Sequence, residues 1–492
     1  MIVPVASGAT ESRVPRRPVP GPLVACLFAV AVQVLDMTML ATALPAVTRE
    51  LRLPAPQQVL VISGYSLAFG CLLLAGAQFG DRFGRRRAYL TGMAGFAVAA
   101  GWCATAGSGP ELIAGRCVQG LCAALVAAQT LAILTASYGP RRRVTAFTAQ
   151  SATGAAVAVA GPVLGGILVD ADLGGIGWRS AFLAELVLAV VAVAVALRYL
   201  PGHQPTAGGR FDPVGAGLVV AVVGTLLYLA MPVGGPRSVT ELALGAGCAA
   251  VLLPVIVHRG RGPQRAPAFP AGLFTRREFA LGAVALVGFS ALFAGVPVTV
   301  SSTVQLGLGF SARQAGMLLL PSALGAVAGA LTAPILVRRW GHATLTAGML
   351  LFGLAALTVA VLLDPGSGRI ELPALVLPLA VAGVGLGWFA APLTGLLMSE
   401  ADPADPGPAS GLVPTLQQWG GALGPAVLLA RPGHGSPEPL PAPASGPAGS
   451  GAELDSLAVA QSYLAALDGA LWIVTGVAAA LAAVVLALPG RR

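Results

Sequence analysis

No lysine occurs in the 492 residues, and the 29 basic side chains are all arginine. A phosphate-cradling loop of the Walker type needs its Gly-Lys pair, so ATP is not expected as an energy source. Charged residues make up only 10% of the chain against 56% hydrophobic, and the mean hydropathy is +0.82. A soluble protein of this size needs more polar surface, so most of the chain is expected in a bilayer. Histidine is scarce too: His203, His258, His342 and His434 fall in loops or at the ends of apolar runs. No nucleophile–base set and no metal cluster emerges, so neither an enzyme nor a catalytic or metal site is expected. The six cysteines (Cys26, Cys71, Cys103, Cys117, Cys122 and Cys248) lie within apolar runs. There a thiol packs as a small apolar group, and nothing indicates disulfides. The missing lysine, with 65 Gly and 39 Pro, points to the genome of a GC-rich bacterium.

What the chain does have is long apolar runs. A helix needs about 20 apolar residues to cross the hydrocarbon core. Fourteen segments qualify: 22–44, 58–79, 88–107, 110–137, 144–169, 178–200, 213–232, 240–258, 279–305, 313–337, 343–363, 372–399, 408–430 and 464–488. The arginines between them are unevenly shared. Twenty-one of the 29 fall on the side of the two termini and seven on the other, with Arg116 inside a span. Short basic clusters separated by apolar stretches are a topology signal rather than a nucleic-acid patch. They place both termini in the cytoplasm and the protein in the cytoplasmic membrane. Residues 1–21 lead straight into the first span without a cleavable h-region.

The resulting division is a cytoplasmic tail at 1–21, a six-helix bundle at 22–200, and a linker at 201–278 with two extra helices. A second six-helix bundle follows at 279–488, with a short cytoplasmic tail at 489–492. The loop 431–462 is extracellular and dominated by Pro, Gly, Ala and Ser, so no fixed fold is expected there. The halves echo each other. Arg82-Phe83-Gly84 recurs as Arg339-Trp340-Gly341 at the matching place between spans, as in transporters built from parallel repeats.

The first of these turns is the most informative stretch: Gly76-Ala77-Gln78-Phe79-Gly80-Asp81-Arg82-Phe83-Gly84-Arg85-Arg86-Arg87. Its charge density excludes it from hydrocarbon. A basic loop would account for the arginines, but not for Asp81 or Gly84. The stretch resembles the motif G-x-x-x-D-R-x-G-R-[KR] between spans two and three of the major facilitator superfamily. The resemblance implies a conformational latch made by Gly80, Asp81, Arg82, Gly84, Arg85 and Arg86. Asp81 is expected near a helix N-terminus, where the macrodipole favours a carboxylate, with Arg82 and Arg85 as its other contacts.

Asp36 falls mid-span, where a charged Asp costs about 2.5–3.5 kcal/mol on insertion scales. A cavity, a partner or a proton must offset that. Gln33 shares its helix face. The run Leu35-Asp36-Met37-Thr38-Met39-Leu40-Ala41-Thr42-Ala43-Leu44-Pro45 resembles the first-span motif of drug–proton antiporters, with Ala41 where relatives usually have Asn. Arg116 and Gln119, in Arg116-Cys117-Val118-Gln119-Gly120, resemble the fourth-span R-x-x-Q-G motif. That likeness implies an arginine assisting proton transfer, and Asp36 is its expected carboxylate. Glu185, where relatives usually carry Asn, is read two ways: a second acid for coupling or substrate, or a side chain snorkelling to the outer interface.

In span five, Gly154, Ala158, Gly161 and Gly165 form one stripe of small residues that admits a neighbouring backbone, and Pro162 bends the helix. Gly161-Pro162-Val163-Leu164-Gly165-Gly166 resembles the G-P-x-x-G-G signature of antiporters, which implies export. In span thirteen, Gln417 and Gln418 lie in a segment similar to that of the fourteen-span exporters, either contacting substrate or joining helices.

Taken together, the expectation is an all-α polytopic membrane protein of the major facilitator fold. Two pseudo-symmetric six-helix bundles flank two additional central helices. The resemblance implies a proton-coupled antiporter exporting lipophilic, often cationic, drugs or an antibiotic-like metabolite. The coupling falls to Asp36, read as the residue that takes the proton, with Arg116 as the fixed charge and Glu185 as the next acid in line, and Gln33, Gln119, Gln417 and Gln418 line the substrate cavity. The expected partners are membrane lipid, a small-molecule substrate and protons. No cofactor, nucleic acid or ATP is expected, and the protein is read as functional as a monomer. An uptake symporter on the same fold and a lipid-handling membrane component without proton coupling are the alternatives.

Overall fold

A computed structural model describes residues 21–202, 271–363, 372–399, 407–429 and 450–487, with positions 217, 218 and 225. Twelve long helices and no strand occur among the described residues. The first half comprises α1 (Gly21–Leu51), α2 (Ala55–Phe83), α3 (Arg85–Thr105), α4 (Gly109–Ser137), α5 (Pro140–Ala171) and α6 (Arg179–Tyr199). The second comprises α7 (Arg277–Ser302), α8 (Ala312–Trp340), α9 (Ala343–Leu362), α10 (Leu372–Ser399), α11 (Gly407–Leu429) and α12 (Ser450–Leu486). Ten helices among the described residues are long and apolar enough to cross a membrane. The expected spans 213–232 and 240–258 fall outside the described residues, apart from those three positions.

The breaks are chemical. Ser108 caps α4 by accepting from Glu111 N, and Ser311 and Gln314 form a full capping box on α8, satisfying donors that the helix itself leaves free. The repeat seen in the sequence is also a repeat of conformation. Gly84 and Gly341 end α2 and α8 at φ 94° and 56°, a region that strains residues bearing a Cβ. Each donates its N–H four residues back, to Gly80 O at 2.9 Å and to Val337 O at 2.8 Å. Both turns lie at one end of the bundle with the arginines beside them (the arginine face). The α1–α2, α5–α6 and α7–α8 turns lie at the other end, the far face.

Each half has its own apolar core, around Tyr89, Met93 and Phe96 in the first and Met349, Phe352 and Phe389 in the second. A third cluster crosses between them: Leu44, Val47 and Val59 of the first half pack with Val298, Ala422 and Ala426 of the second.

Two expectations are corrected. Residues 450–462 are helical, not part of a loop without fixed fold. With 37 residues, α12 is about 55 Å long and runs past the hydrocarbon core. After Pro447 the chain has no proline until Pro489, and Ser450 followed by Glu453 is a helix-start pattern. Asp81, in turn, does not sit at a helix N-terminus. It is in the last turn of α2, which continues to Phe83, where the macrodipole disfavours a carboxylate.

Candidate functional site

The site is built where α1, α2, α4 and α6 meet inside the first half. Asp36 on α1, Arg116 and Gln119 on α4, and Glu185 on α6 are all buried, with at most 2% exposure. Arg116 turns both arms of its guanidinium to Asp36. Nη1 donates to Oδ1 in a close ion pair, and Nη2 to Oδ2 at 3.1 Å. Nη1 also reaches Gln119 Oε1 at 2.7 Å, and Nε reaches the Val61 carbonyl at 3.2 Å. This two-armed geometry is the strongest that a guanidinium offers a carboxylate. Burying ions costs several kcal/mol each, and the extra acceptors help to offset it.

Gln119 extends the chain of contacts. With its oxygen taken by Arg116, its amide Nε2 donates to Glu185 Oε2 at 2.8 Å. Of the two readings of Glu185, snorkelling outward is not what the structure has: α6 turns this acid inward, into the same cluster.

Two aromatic rings cover the cation. Arg116 lies over the Tyr65 ring at 4.6 Å and the Phe182 ring at 5.9 Å, close enough for cation–π attraction. Gly120 makes this possible. A Cβ there would fall 3.0 Å from Tyr65 Cα, so only glycine lets α2 approach α4 this closely. Neither ring was picked out from sequence. Arg116 in a span signals that an aromatic partner is useful, but which ring meets it depends on packing.

The remaining residues are distributed around this centre. Gln33 donates to the Ala123 carbonyl of α4 at 3.4 Å, on the same side of α1 as Asp36. The small residues of α5 pack against α1. A Cβ on Gly154 would meet Val30, on Gly161 Thr38, and on Gly165 Thr42 and Met39. Gly166, next to Gly165, meets α8 instead, and Pro162 lies within the helix. The α5 stripe therefore fixes the helix that carries Asp36.

Gln417 and Gln418 lie on α11, away from the cluster. Gln418 Oε1 and Trp419 Nε1 are buried with no hydrogen-bond partner among the described residues. Trp419 packs against Gly70 of α2, and Gln418, Met37 and Ser66 approach Gly421. An acceptor and a donor thus stand unsatisfied at the seam between halves.

At the arginine face, Asp81 pairs with Arg85 at 3.4 Å. Arg82 does not join them: it is exposed and lies over the Phe83 ring, because it falls on the outer side of the last turn. Arg85 and Arg86 instead reach carbonyls near the ends of α4 and α6, Ala132 O at 2.9 Å and Leu197 O at 2.7 Å, where a cation complements the helix dipole.

Comparison with known proteins follows the same lines. The family described as Major Facilitator Superfamily matches residues 26–425. A probable actinorhodin transporter of Streptomyces coelicolor is 35% identical, over 82% of this chain and 70% of that one. A cephamycin export protein of Amycolatopsis lactamdurans is 33% identical, over 82% and 83%. Among solved structures, a bacterial homologue of the human lysosomal transporter Spinster superposes with a TM-score of 0.65 at 16% identity, over 95% of this chain and 97% of that one.

Proposed function

Since this chain belongs to the Major Facilitator Superfamily and is a multi-pass membrane transporter of small molecules, we propose that it exports antibiotic-like lipophilic compounds in exchange for protons. The relatives named for actinorhodin transport and cephamycin export support outward transport of secondary metabolites. The likeness of Gly161-Pro162-Val163-Leu164-Gly165-Gly166 to the antiporter signature supports the same direction.

The observation that carries proton coupling is a count of charges. One guanidinium and two carboxyls share a site sealed from water, and the cluster is neutral only when one carboxyl holds a proton. Asp36 is occupied by both arms of Arg116, while Glu185 has a neutral amide as its partner. The exchangeable proton therefore belongs on Glu185, with the Asp36–Arg116 pair as the fixed charge beside it. When a proton arrives from the far side, the cluster is neutral and the halves rock. When it leaves to the cytoplasm, the negative cluster favours a cationic or hydrogen-bonding substrate at the seam, where Gln418 and Trp419 present their free acceptor and donor. The arginine face is cytoplasmic by the positive-inside rule.

The test is proton flux in inverted membrane vesicles energised to be acid inside, with lipophilic cations and aromatic antibiotics added in turn. Substrate-dependent alkalinisation that disappears in Glu185→Gln is the expected result. Substrate accumulation with no proton movement would favour a carrier without coupling.

A further inference from the structure

The far face is held by contacts that the buried cluster does not use. Asp170, in the last turn of α5, sets its two carboxylate oxygens 3.0 Å each from the backbone N–H groups of Ala312 and Arg313. These are the first two residues of α8, and the next donor, Gln314 N, is already met by Ser311. At the other end of the same connection, Arg49 in the last turn of α1 donates to the Gln305 carbonyl at 3.4 Å. Gln305 lies in the π-helical turn Thr303–Gly307 that finishes α7, and its side-chain amide donates to the Thr42 carbonyl at 3.0 Å.

The chemistry is reciprocal. An acid meets a helix N-terminus and a base meets a helix C-terminus, and both complement the macrodipole. The first half thus grips the α7–α8 connection of the second half from both sides. Two glycines allow it. A Cβ on Gly166 would fall 2.8 Å from Arg313 Cα, and one on Gly316 2.9 Å from the Pro162 carbonyl carbon. A side chain at either position would push Asp170 out of reach. A groove lined by Ile167, Asp170, Ser311, Arg313, Gln314 and Met317 opens beside the contact, so water can take over the carboxylate when the contact breaks.

We propose that Asp170 and Arg49 form a clasp on the α7–α8 connection, and that its release is the step that opens the far face during transport. Both are positioning residues, acting through residues 303–313 rather than on substrate or proton. The proposal rests on the rocking cycle described above.

The test is hydrogen–deuterium exchange of the full chain in lipid nanodiscs, without substrate and without a proton gradient. Asp170→Asn keeps the shape but loses the charge and one acceptor. Exchange across 303–313 and 42–51 is expected to rise about tenfold, while exchange at 79–88 on the arginine face slows. A shift between two states must close one face as it opens the other. Arg49→Gln is expected to do the same, and Asp170→Glu to restore most of the protection. Asp172→Asn, whose carboxylate accepts from Gly177 N in its own turn, is expected to change neither face. Unchanged exchange at 303–313 in both Asp170→Asn and Arg49→Gln overturns the clasp. So does faster exchange at both faces alike, which reports loosened packing. Neither outcome bears on proton coupling, which the vesicle flux experiment decides separately.

Discussion

Asp36 and Arg116, 80 positions apart in the chain, meet as a fully buried two-armed ion pair between α1 and α4. Neither can be spared alone. Removing one charge leaves the other buried and unpaired, at a cost of about 3–5 kcal/mol. Asp36→Asn and Arg116→Gln are each expected to lower the melting temperature in detergent and the folded yield. The double substitution is expected to regain most of both while remaining inactive in transport. A double variant no more stable than either single one would mean that the pair is not the source of the loss.

Glu185→Gln separates coupling from folding. A glutamine side chain can still accept from Gln119 Nε2, the bond seen at 2.8 Å, so melting is expected to stay within about 1 kcal/mol of the unmodified protein. Substrate-driven proton release is expected to fall at least tenfold, because the amide holds no exchangeable proton at this place. Fluorescence binding of a transported compound is expected to persist.

Tyr65 is predicted to act through its ring. Its hydroxyl is buried with no partner among the described residues, whereas the ring faces Arg116 at 4.6 Å. Tyr65→Phe keeps the cation–π contact and is expected to be neutral or slightly stabilising. Tyr65→Leu forfeits a desolvated contact of about 2 kcal/mol, and the melting temperature reads the difference between the two variants.

The helices were legible because a bilayer demands long apolar runs, and the described helices lie where the runs predict, within a few residues for most of them. Asp36 and Arg116 were legible because a charge mid-span has to be explained. Glu185 was ambiguous, since its position along α6 does not say which way the helix turns it. Asp170 was invisible: an acid at a helix end looks like any solvated residue until another helix's N-terminus is placed against it. The helical start of α12 was hidden by the Pro-rich run before it, which coloured the reading of 450–462. Asp81 was misplaced by the position of one helix end, since α2 continues past it to Phe83.

The α5 stripe gives a graded prediction. Gly→Ala in a helix interior gains about 1 kcal/mol of propensity, so any loss must come from packing against α1. At Gly154 the new Cβ would sit 3.4 Å from Val30 Cγ1, ordinary contact, and the substitution is expected to be neutral or mildly stabilising. At Gly161 it would fall 2.7 Å from Thr38 Cβ. Rotating Thr38 would move its Oγ1 at the loss of the 2.8 Å bond to the Val34 carbonyl, but no rotation moves its Cβ. At Gly165 the obstacle is backbone, Met39 Cα at 3.0 Å, and no rotation relieves it, so overpacking of about 1–3 kcal/mol is expected. Stability should therefore stay near that of the unmodified protein in Gly154→Ala and fall in Gly161→Ala and Gly165→Ala. Transport should fall faster than stability at the last two, because the displaced segment of α1 begins two residues after Asp36. Equal effects at all three sites would mean that α5 packs on α1 without setting the position of the acid.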